Sequence, residues 1–155
     1  LNAAESVNFK NESYLLLTCP TLSKCKEMAQ KLLDKNQYKQ TQVKNIIQEI
    51  ERRIAQKPDE PIIFEGDPSW KLTLAGSVAS TICNKYEKPA FIFKKMDKES
   101  CGSVRNPKGT NSVDAMKTCD NFLMTYGGHA QASGFRVKNE HLQKFEKCLN
   151  DYFKK

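Results

Sequence analysis

Short apolar runs of strand type alternate with helix-type patterns along residues 61–155, and this alternation constrains the fold most. The runs Pro61-Ile62-Ile63-Phe64 and Pro89-Ala90-Phe91-Ile92-Phe93 have the length and apolar character of buried strands. A segment with helical spacing, 75–86, separates them. The pattern predicts an α/β fold with a mixed, partly parallel sheet flanked by helices.

Further elements follow in the same alternation. We expect a third strand at 101–105, a turn at 106–109, a helix from Ser112 to Tyr126, a strand at 132–137 and a final helix from Asn139. Ser112 is a suitable N-cap residue. Residues 65–69 are typical of a loop, and Trp70 after them is expected to anchor the core.

Residues 1–60 are expected to be a helical linker and the remnant of a preceding lobe, and residues 61–155 a separate domain. The run Tyr14 to Leu17 suits either a short strand or the end of a helix. Apolar residues then recur at helical spacing from Leu22, lapse near Asn36 and resume at Val43. The pattern fits two helices, or one long helix with a break near Asn36, ended by Pro58.

The stretch from Tyr126 to Phe135 has the composition of a ligand site. Gly127 and Gly128 can take positive φ and let a ligand approach the backbone, where amide groups bind anions. His129 adds a directed hydrogen-bond donor or acceptor. The stretch suits a phosphate or a nucleotide, although two glycines after a helix also form a plain C-cap and turn.

The net charge is +7, and five of these excess positive charges lie in residues 61–155. A basic balance favours polyanions such as nucleic acid. Solvated lysines explain the same count equally well.

The six cysteines include no C-x-x-C pair, and the two histidines are not at zinc-site spacing. This pattern argues against a structural zinc ion. Cys83, Cys119 and Cys148 fall on apolar helix faces, so we interpret them as reduced thiols in a cytoplasmic protein. No segment is long enough to span a membrane. Because the chain begins at Leu1 and not at methionine, we expect a fragment of a longer protein.

Three blocks in this order resemble the DHH-associated (DHHA) domain of the DHH phosphoesterase superfamily, in its RecJ-like branch. They are 70–80 (WKLTLAGSVAS), 102–106 (GSVRN) and 127–135 (GGHAQASGF). The resemblance covers roughly residues 25–155. The family usually has glycine where Thr73 stands and alanine where Ser133 stands.

The resemblance implies roles for individual residues. Arg105 would contact a backbone phosphate, and Ser103 would support it. Gly127, Gly128 and His129 would bind the phosphate or nucleotide next to the scissile bond, with His129 alternatively stabilising the transition state. Because small residues begin the helix at 75–86, Gly76 and Ser77 are candidates for a contact at a helix N-terminus.

The resemblance also implies that the catalytic metal ions lie outside this chain. In the family, a DHH lobe holds Mn²⁺ or Mg²⁺, whereas the aspartates here are scattered singly. We therefore expect no cofactor and no metal bound by this chain, no catalysis by the isolated chain, and no membrane partner. Its expected partners are single-stranded DNA or a short oligonucleotide, and the DHH catalytic lobe of the same parent protein.

Three functions remain open at this point. The chain is the substrate-binding lobe of a 5′-to-3′ single-stranded-DNA exonuclease, the same lobe of a nano-oligonucleotide or cyclic-dinucleotide phosphodiesterase, or a non-catalytic interaction module. Preference for di- to pentanucleotides would favour the second.

Overall fold

The computed structural model describes residues 6–7, 10–57 and 59–154. The chain divides into two compact units, Leu1–Asn45 and Ile46–Lys155. Pro58, which the sequence suggested as a helix end, lies outside the described residues.

The first unit contains short strands and helices. Strands β1 (Ser6–Val7) and β2 (Lys10–Asn11) pair antiparallel, and α1 (Glu12–Leu17) follows. Asn11 caps α1, because its side-chain oxygen accepts a hydrogen bond from the Ser13 amide at 2.8 Å. The helical alternative for Tyr14 to Leu17 is therefore confirmed.

Helix α2 (Leu22–Ile54) runs from the first unit into the second without interruption. The predicted break near Asn36 is wrong. The polar residues of that region are mostly glutamine and lysine, which sustain a helix well although they supply no apolar stripe.

The second unit is built on one mixed sheet. Its strands are β3 (Ile63–Asp67), β4 (Ala90–Lys95), β5 (Glu99–Arg105), β6 (Leu123–His129) and β7 (Ala132–Lys138). Their spatial order is β3-β4-β5-β7-β6, with β3 and β4 parallel and the other pairs antiparallel. The predicted α/β fold with a mixed, partly parallel sheet is confirmed.

Three helices complete this unit: α3 (Leu72–Tyr86), α4 (Ser112–Thr118) and α5 (Leu142–Phe153). Helix α3 connects the parallel strands β3 and β4 and packs on β4 and β5. Trp70 is buried, as predicted for a core anchor, and its indole nitrogen donates to Glu49 Oε2 at 3.3 Å.

The opposite side of the sheet, which we call the packed face, is closed by α4 and α5. Phe145 of α5 is fully buried among Phe64, Phe91 and Phe135, with ring centroids 5.4–6.2 Å apart. Cys119 and Cys148 also lie in this core, joined as a disulfide. The prediction that both are reduced thiols is wrong, because helical spacing cannot reveal that the end of α4 meets α5.

Several predicted boundaries are also wrong. The helix predicted from Ser112 to Tyr126 ends at Thr118, and a 3₁₀ turn (Asp120–Phe122) leads into β6. Asp120 and Asn121 are weak helix formers, while Leu123 and Tyr126 reach the same core from a strand. Asn111, not Ser112, caps α4.

The remaining corrections concern ends of elements. Strand β3 continues through 65–67, where the sequence predicts a loop, because these residues pair with β4. Helix α3 begins at Leu72, ahead of the predicted 75. A 3₁₀ turn (Asn139–His141) precedes α5.

Candidate nucleic-acid interface

The cross-strand register brings the predicted site residues into adjacent rows. Arg105 of β5 lies opposite Ala132 of β7, which lies opposite His129 of β6. The next row on the same side is Ser103, Gly134 and Gly127. Directly opposed residues of antiparallel strands share one face of the sheet. Arg105, Ser103, His129 and Gly127 therefore occupy one surface.

This surface is the side of the sheet on which α3 packs. A Cβ atom added at Gly76 of α3 would lie 3.3 Å from Arg105 Nη2 and 3.7 Å from Ser103 Oγ. The Arg105 guanidinium thus lies against the small residues of α3, and its Nη1 donates to the Val104 carbonyl at 2.8 Å. Helix α3 covers β4 and β5 but leaves β7 and β6 exposed.

We call the exposed part of this side the open face. It is formed by three neighbouring rows: the row through Arg105, the row through Ser103, and the row through Cys101, Arg136 and Thr125. An open groove runs beside it, lined by Thr73, Gly76, Ser77, Ser80, Thr81 and Arg105. The lining is polar and small, apart from Arg105. A polyanion could approach here without displacing apolar side chains.

Gly76 and Ser77 belong to this groove but not to a helix N-terminus. Because α3 begins at Leu72, both lie in its second turn, where backbone amides bond within the helix. Their side of the helix, and not their amide groups, faces Arg105. Thr73, where the family usually has glycine, lies in the first turn and also lines the groove.

The Gly127-Gly128-His129 stretch is the end of strand β6, and the prediction of a loop leaving a helix is wrong. All three residues are exposed. Only Gly128 has a positive φ, +133°. The hairpin turn at 130–131 joins β6 to the antiparallel strand β7. Pairing with β7 therefore holds the backbone of the Gly127-Gly128-His129 stretch in place.

The two glycines have different structural roles. A Cβ atom at Gly128 would lie 2.6 Å from the Ala132 carbonyl oxygen and 2.7 Å from Ser133 Cα. A Cβ atom at Gly127 would meet no atom of the described residues within 4 Å. The fold therefore requires glycine at 128, whereas the fold gives no reason for glycine at 127.

The hairpin that carries His129 is held at its turn by Ser112. The Ser112 amide and its hydroxyl both donate to the Ala130 carbonyl, at 2.9 and 3.0 Å. Ser112 Oγ also lies 2.6 Å from Ser133 Oγ, and both residues are buried. Sequence reasoning took Ser112 only for a cap, and no local signal indicates its contact with a turn 18 residues away.

Arg136 is a residue that the sequence analysis missed. Its Nε donates to Cys101 Sγ at 3.3 Å and lies 3.5 Å from Glu99 Oε1. The hydrogen bond to Cys101 and the negative charge of Glu99 raise the pKa of Arg136. The period of two in strand 132–137 could have placed it on the face of Gly134.

The buried thiol beside Arg105 is also perturbed. Burial raises the pKa of Cys83, and the positive charge of Arg105 partly opposes this effect. Cys83 is 3% exposed. Cys83 is therefore a buried, neutral thiol near Arg105.

Among the described residues, no group of three or more histidine, cysteine, aspartate or glutamate side chains could hold a metal ion. The open face offers cationic, hydroxyl and backbone groups, which suit an anion. No helix in the described part of the chain has the length and apolar character needed to cross a membrane.

The DHHA1 domain family matches residues 59–155. The chain therefore belongs to the DHHA1 domain family, and the DHHA resemblance noted in the sequence is confirmed.

Similar proteins are bacterial exonucleases. The chain is 25% identical over 155 residues to the single-stranded-DNA-specific exonuclease RecJ of Bacillus subtilis (strain 168), covering 97% of this chain and 20% of that protein. It is 27% identical over 166 aligned positions to the RecJ of Haemophilus influenzae, covering 97% of this chain and 28% of that protein. The chain thus spans only about a quarter of the length of these relatives.

Solved RecJ structures share the fold. A crystal structure of Thermus thermophilus RecJ in complex with Mn²⁺ matches 92% of this chain and 21% of its own, with a TM-score of 0.81 and 22% identity. A crystal structure of exonuclease RecJ bound to manganese matches 93% of this chain and 36% of its own, with a TM-score of 0.78 and 22% identity.

Proposed function

We propose that this chain is the substrate-binding C-terminal lobe of a RecJ-like 5′-to-3′ single-stranded-DNA exonuclease. It would hold nucleic-acid phosphates for a metal-dependent DHH lobe that lies outside this chain. Family membership and the likeness to RecJ over 97% of the chain support the proposal. So does the small share of each RecJ that the chain spans.

One observation carries the proposal: Arg105 and His129 stand in one row across three strands, beside a row that contains Gly134 and Gly127. A planar guanidinium binds phosphate oxygens in pairs, which a lysine cannot do. A row with two glycines lets the sugar–phosphate backbone approach the sheet closely. The open face therefore combines a guanidinium and an imidazole with a row of small residues.

Within this proposal the chain contributes binding and orientation. Arg105 would hold a backbone phosphate, with Ser103 on the same face of β5 supporting it. Gly127, Gly128 and His129 would border the phosphate next to the scissile bond, and His129 would donate a hydrogen bond to it or to the charged transition state. Mn²⁺ or Mg²⁺, when bound in the DHH lobe, would supply the activated water.

The domain assignment is part of the same proposal. Residues 61–155 would form the substrate-binding domain, and residues 1–60 the helical linker and the remnant of the DHH lobe. The family match begins at residue 59, close to this boundary.

A binding titration tests the proposal. Fluorescence anisotropy of a labelled, 5′-phosphorylated single strand would be measured with wild type, Arg105→Ala and His129→Ala at several salt concentrations. We expect salt-dependent binding, with a slope of about −0.7 per phosphate contact, that both substitutions weaken. Lys117→Ala, an exposed change on α4, is the charge-matched control for Arg105→Ala. No binding by wild type at low salt would contradict the proposal.

A second test concerns catalysis. The purified chain, incubated with a single strand and Mn²⁺, is expected to release no nucleotides, because the metal-bearing lobe lies elsewhere. Robust cleavage that survives repurification would contradict this part of the proposal.

A further inference from the structure

The row of the open face that contains Arg136 has no part in the proposed phosphate site, yet its chemistry is similar. Arg136 lies opposite Cys101 on β5 and opposite Thr125 on β6. Cys101 and Arg105 are four residues apart on β5, so the two arginine rows are about 13 Å apart along the strands. Both arginines project from the same side of the sheet.

The terminal nitrogens of Arg136 are available. Its Nε is engaged with Cys101 and Glu99, but among the described residues neither Nη atom has a hydrogen-bond partner. The side chain is 51% exposed. The contacts at Nε hold the base of the guanidinium while its outer edge faces solvent. This leaves a fixed donor pair for an oxyanion.

The row of the sheet between the two arginines carries only small residues. The intervening row contains Ser103, Gly134 and Gly127, and a Cβ atom added at Gly127 would lie more than 4 Å from the described neighbouring residues. On β7 and β6, where α3 does not cover the sheet, the residues between the Arg105 row and the Arg136 row are therefore glycines without side chains. An extended chain could lie along the strands across this row.

Three cationic side chains lie at this end of the same side of the sheet. They are Lys94, Arg136 and Lys138, and they share this side with Glu99 and with Asp67, which lies opposite Lys94 on β3 and is paired with Arg53. Glu99 is 28% exposed, and Lys138 is 57% exposed with Glu140 3.7 Å away. A ligand with phosphates at two separated points fits this distribution better than a single small anion does.

We propose that Arg136 is a second phosphate-binding position and that a single strand of nucleic acid runs along the open face from the Arg105 row to the Arg136 row. This inference rests on the proposed function and extends it to substrate length. A strand of several nucleotides engages both arginines, whereas a dinucleotide reaches only the Arg105 row.

The test compares two ligands and four variants of this chain. A labelled, 5′-phosphorylated ten-nucleotide strand is titrated by anisotropy at several salt concentrations, and an unlabelled 5′-phosphorylated dinucleotide competes with it. The variants are Arg136→Gln, Arg136→Lys, Arg105→Gln and the control Lys117→Gln. Urea unfolding of each variant reports whether the substitution disturbs the fold.

We expect Arg136→Gln to weaken binding of the ten-nucleotide strand roughly fivefold and to reduce the salt slope by about 0.7, the value for one phosphate contact. Affinity for the dinucleotide should stay unchanged in this variant. Arg105→Gln should weaken binding of both ligands, and Lys117→Gln should weaken neither. Arg136→Lys, which keeps the charge without the fork, should fall between wild type and Arg136→Gln.

Three failures are distinguishable. If Arg105→Gln weakens binding but Arg136→Gln behaves like Lys117→Gln with the longer strand, the second position is wrong and the proposed function stands. If Arg105→Gln also leaves both affinities unchanged, the proposed function is wrong as well. If Arg136→Gln weakens both ligands equally, both rows contact one short ligand, which contradicts the strand path and favours a small-substrate enzyme.

Discussion

The two sides of the same five-stranded sheet differ in what covers them. The packed face carries Phe91, Val104 and Phe135, which α4 and α5 cover completely. The other side carries Ser103, Arg105 and His129; α3 covers only part of this side and leaves the open face exposed. Val104 and Arg105 are neighbours on β5, yet Val104 lies in the buried core and Arg105 lies on the opposite side of the sheet.

The difference shows which residues the fold needs. Side chains of the packed face exclude water from one another, and their burial stabilises the domain. On the open face Gly127 and His129 are exposed, so burial does not account for a glycine and a histidine there. Substitutions on the packed face should therefore change the free energy of unfolding, whereas substitutions on the open face should change the affinity for a single strand.

The largest expected effect is on the packed face. Phe145→Ala removes a fully buried ring that contacts three other phenylalanines. We expect a loss of about 3–5 kcal/mol in the free energy of unfolding, measured by urea denaturation. Phe153→Ala, at the partly exposed end of α5, should cost clearly less. Equal losses would contradict the assignment of the core.

The disulfide between Cys119 and Cys148 lies in the core of the packed face, and its removal should also lower the free energy of unfolding. It closes a loop with a sequence separation of 29, and its loss should cost roughly 2–4 kcal/mol. Urea denaturation with and without reductant measures this difference. The double variant Cys119→Ala/Cys148→Ala should show no response to reductant; a wild type that also shows none would mean that these thiols are not joined.

Gly128→Ala tests whether the fold itself requires glycine at this position of the predicted binding stretch. Its methyl group would overlap the Ala132 carbonyl, and φ at this position is +133°. We expect about 1–3 kcal/mol of destabilisation, seen in the same denaturation experiment. A variant as stable as wild type would show that the hairpin backbone relaxes and that glycine is not required there.

Much of the fold could be predicted from the sequence, because buried strands and amphipathic helices have distinct periods. Strand β6 could not, since Phe122, Leu123 and Tyr126 suit a helix as well as a strand until β7 is present to pair with them. The site residues Arg105 and His129 could be named from a motif, but their common row depends on cross-strand register. Arg136 and Ser112 were missed because their partners lie 35 and 18 residues away.

The most direct test of the central claim is Gly127→Val, measured in parallel for stability and for single-strand binding. Valine suits an extended strand, Gly127 is exposed, and a Cβ atom there would lie more than 4 Å from the described neighbouring residues. We expect the free energy of unfolding to change by no more than about 0.5 kcal/mol, while affinity falls about tenfold, equivalent to roughly 1.4 kcal/mol. Unchanged stability together with unchanged affinity would contradict the claim that the open face binds the strand.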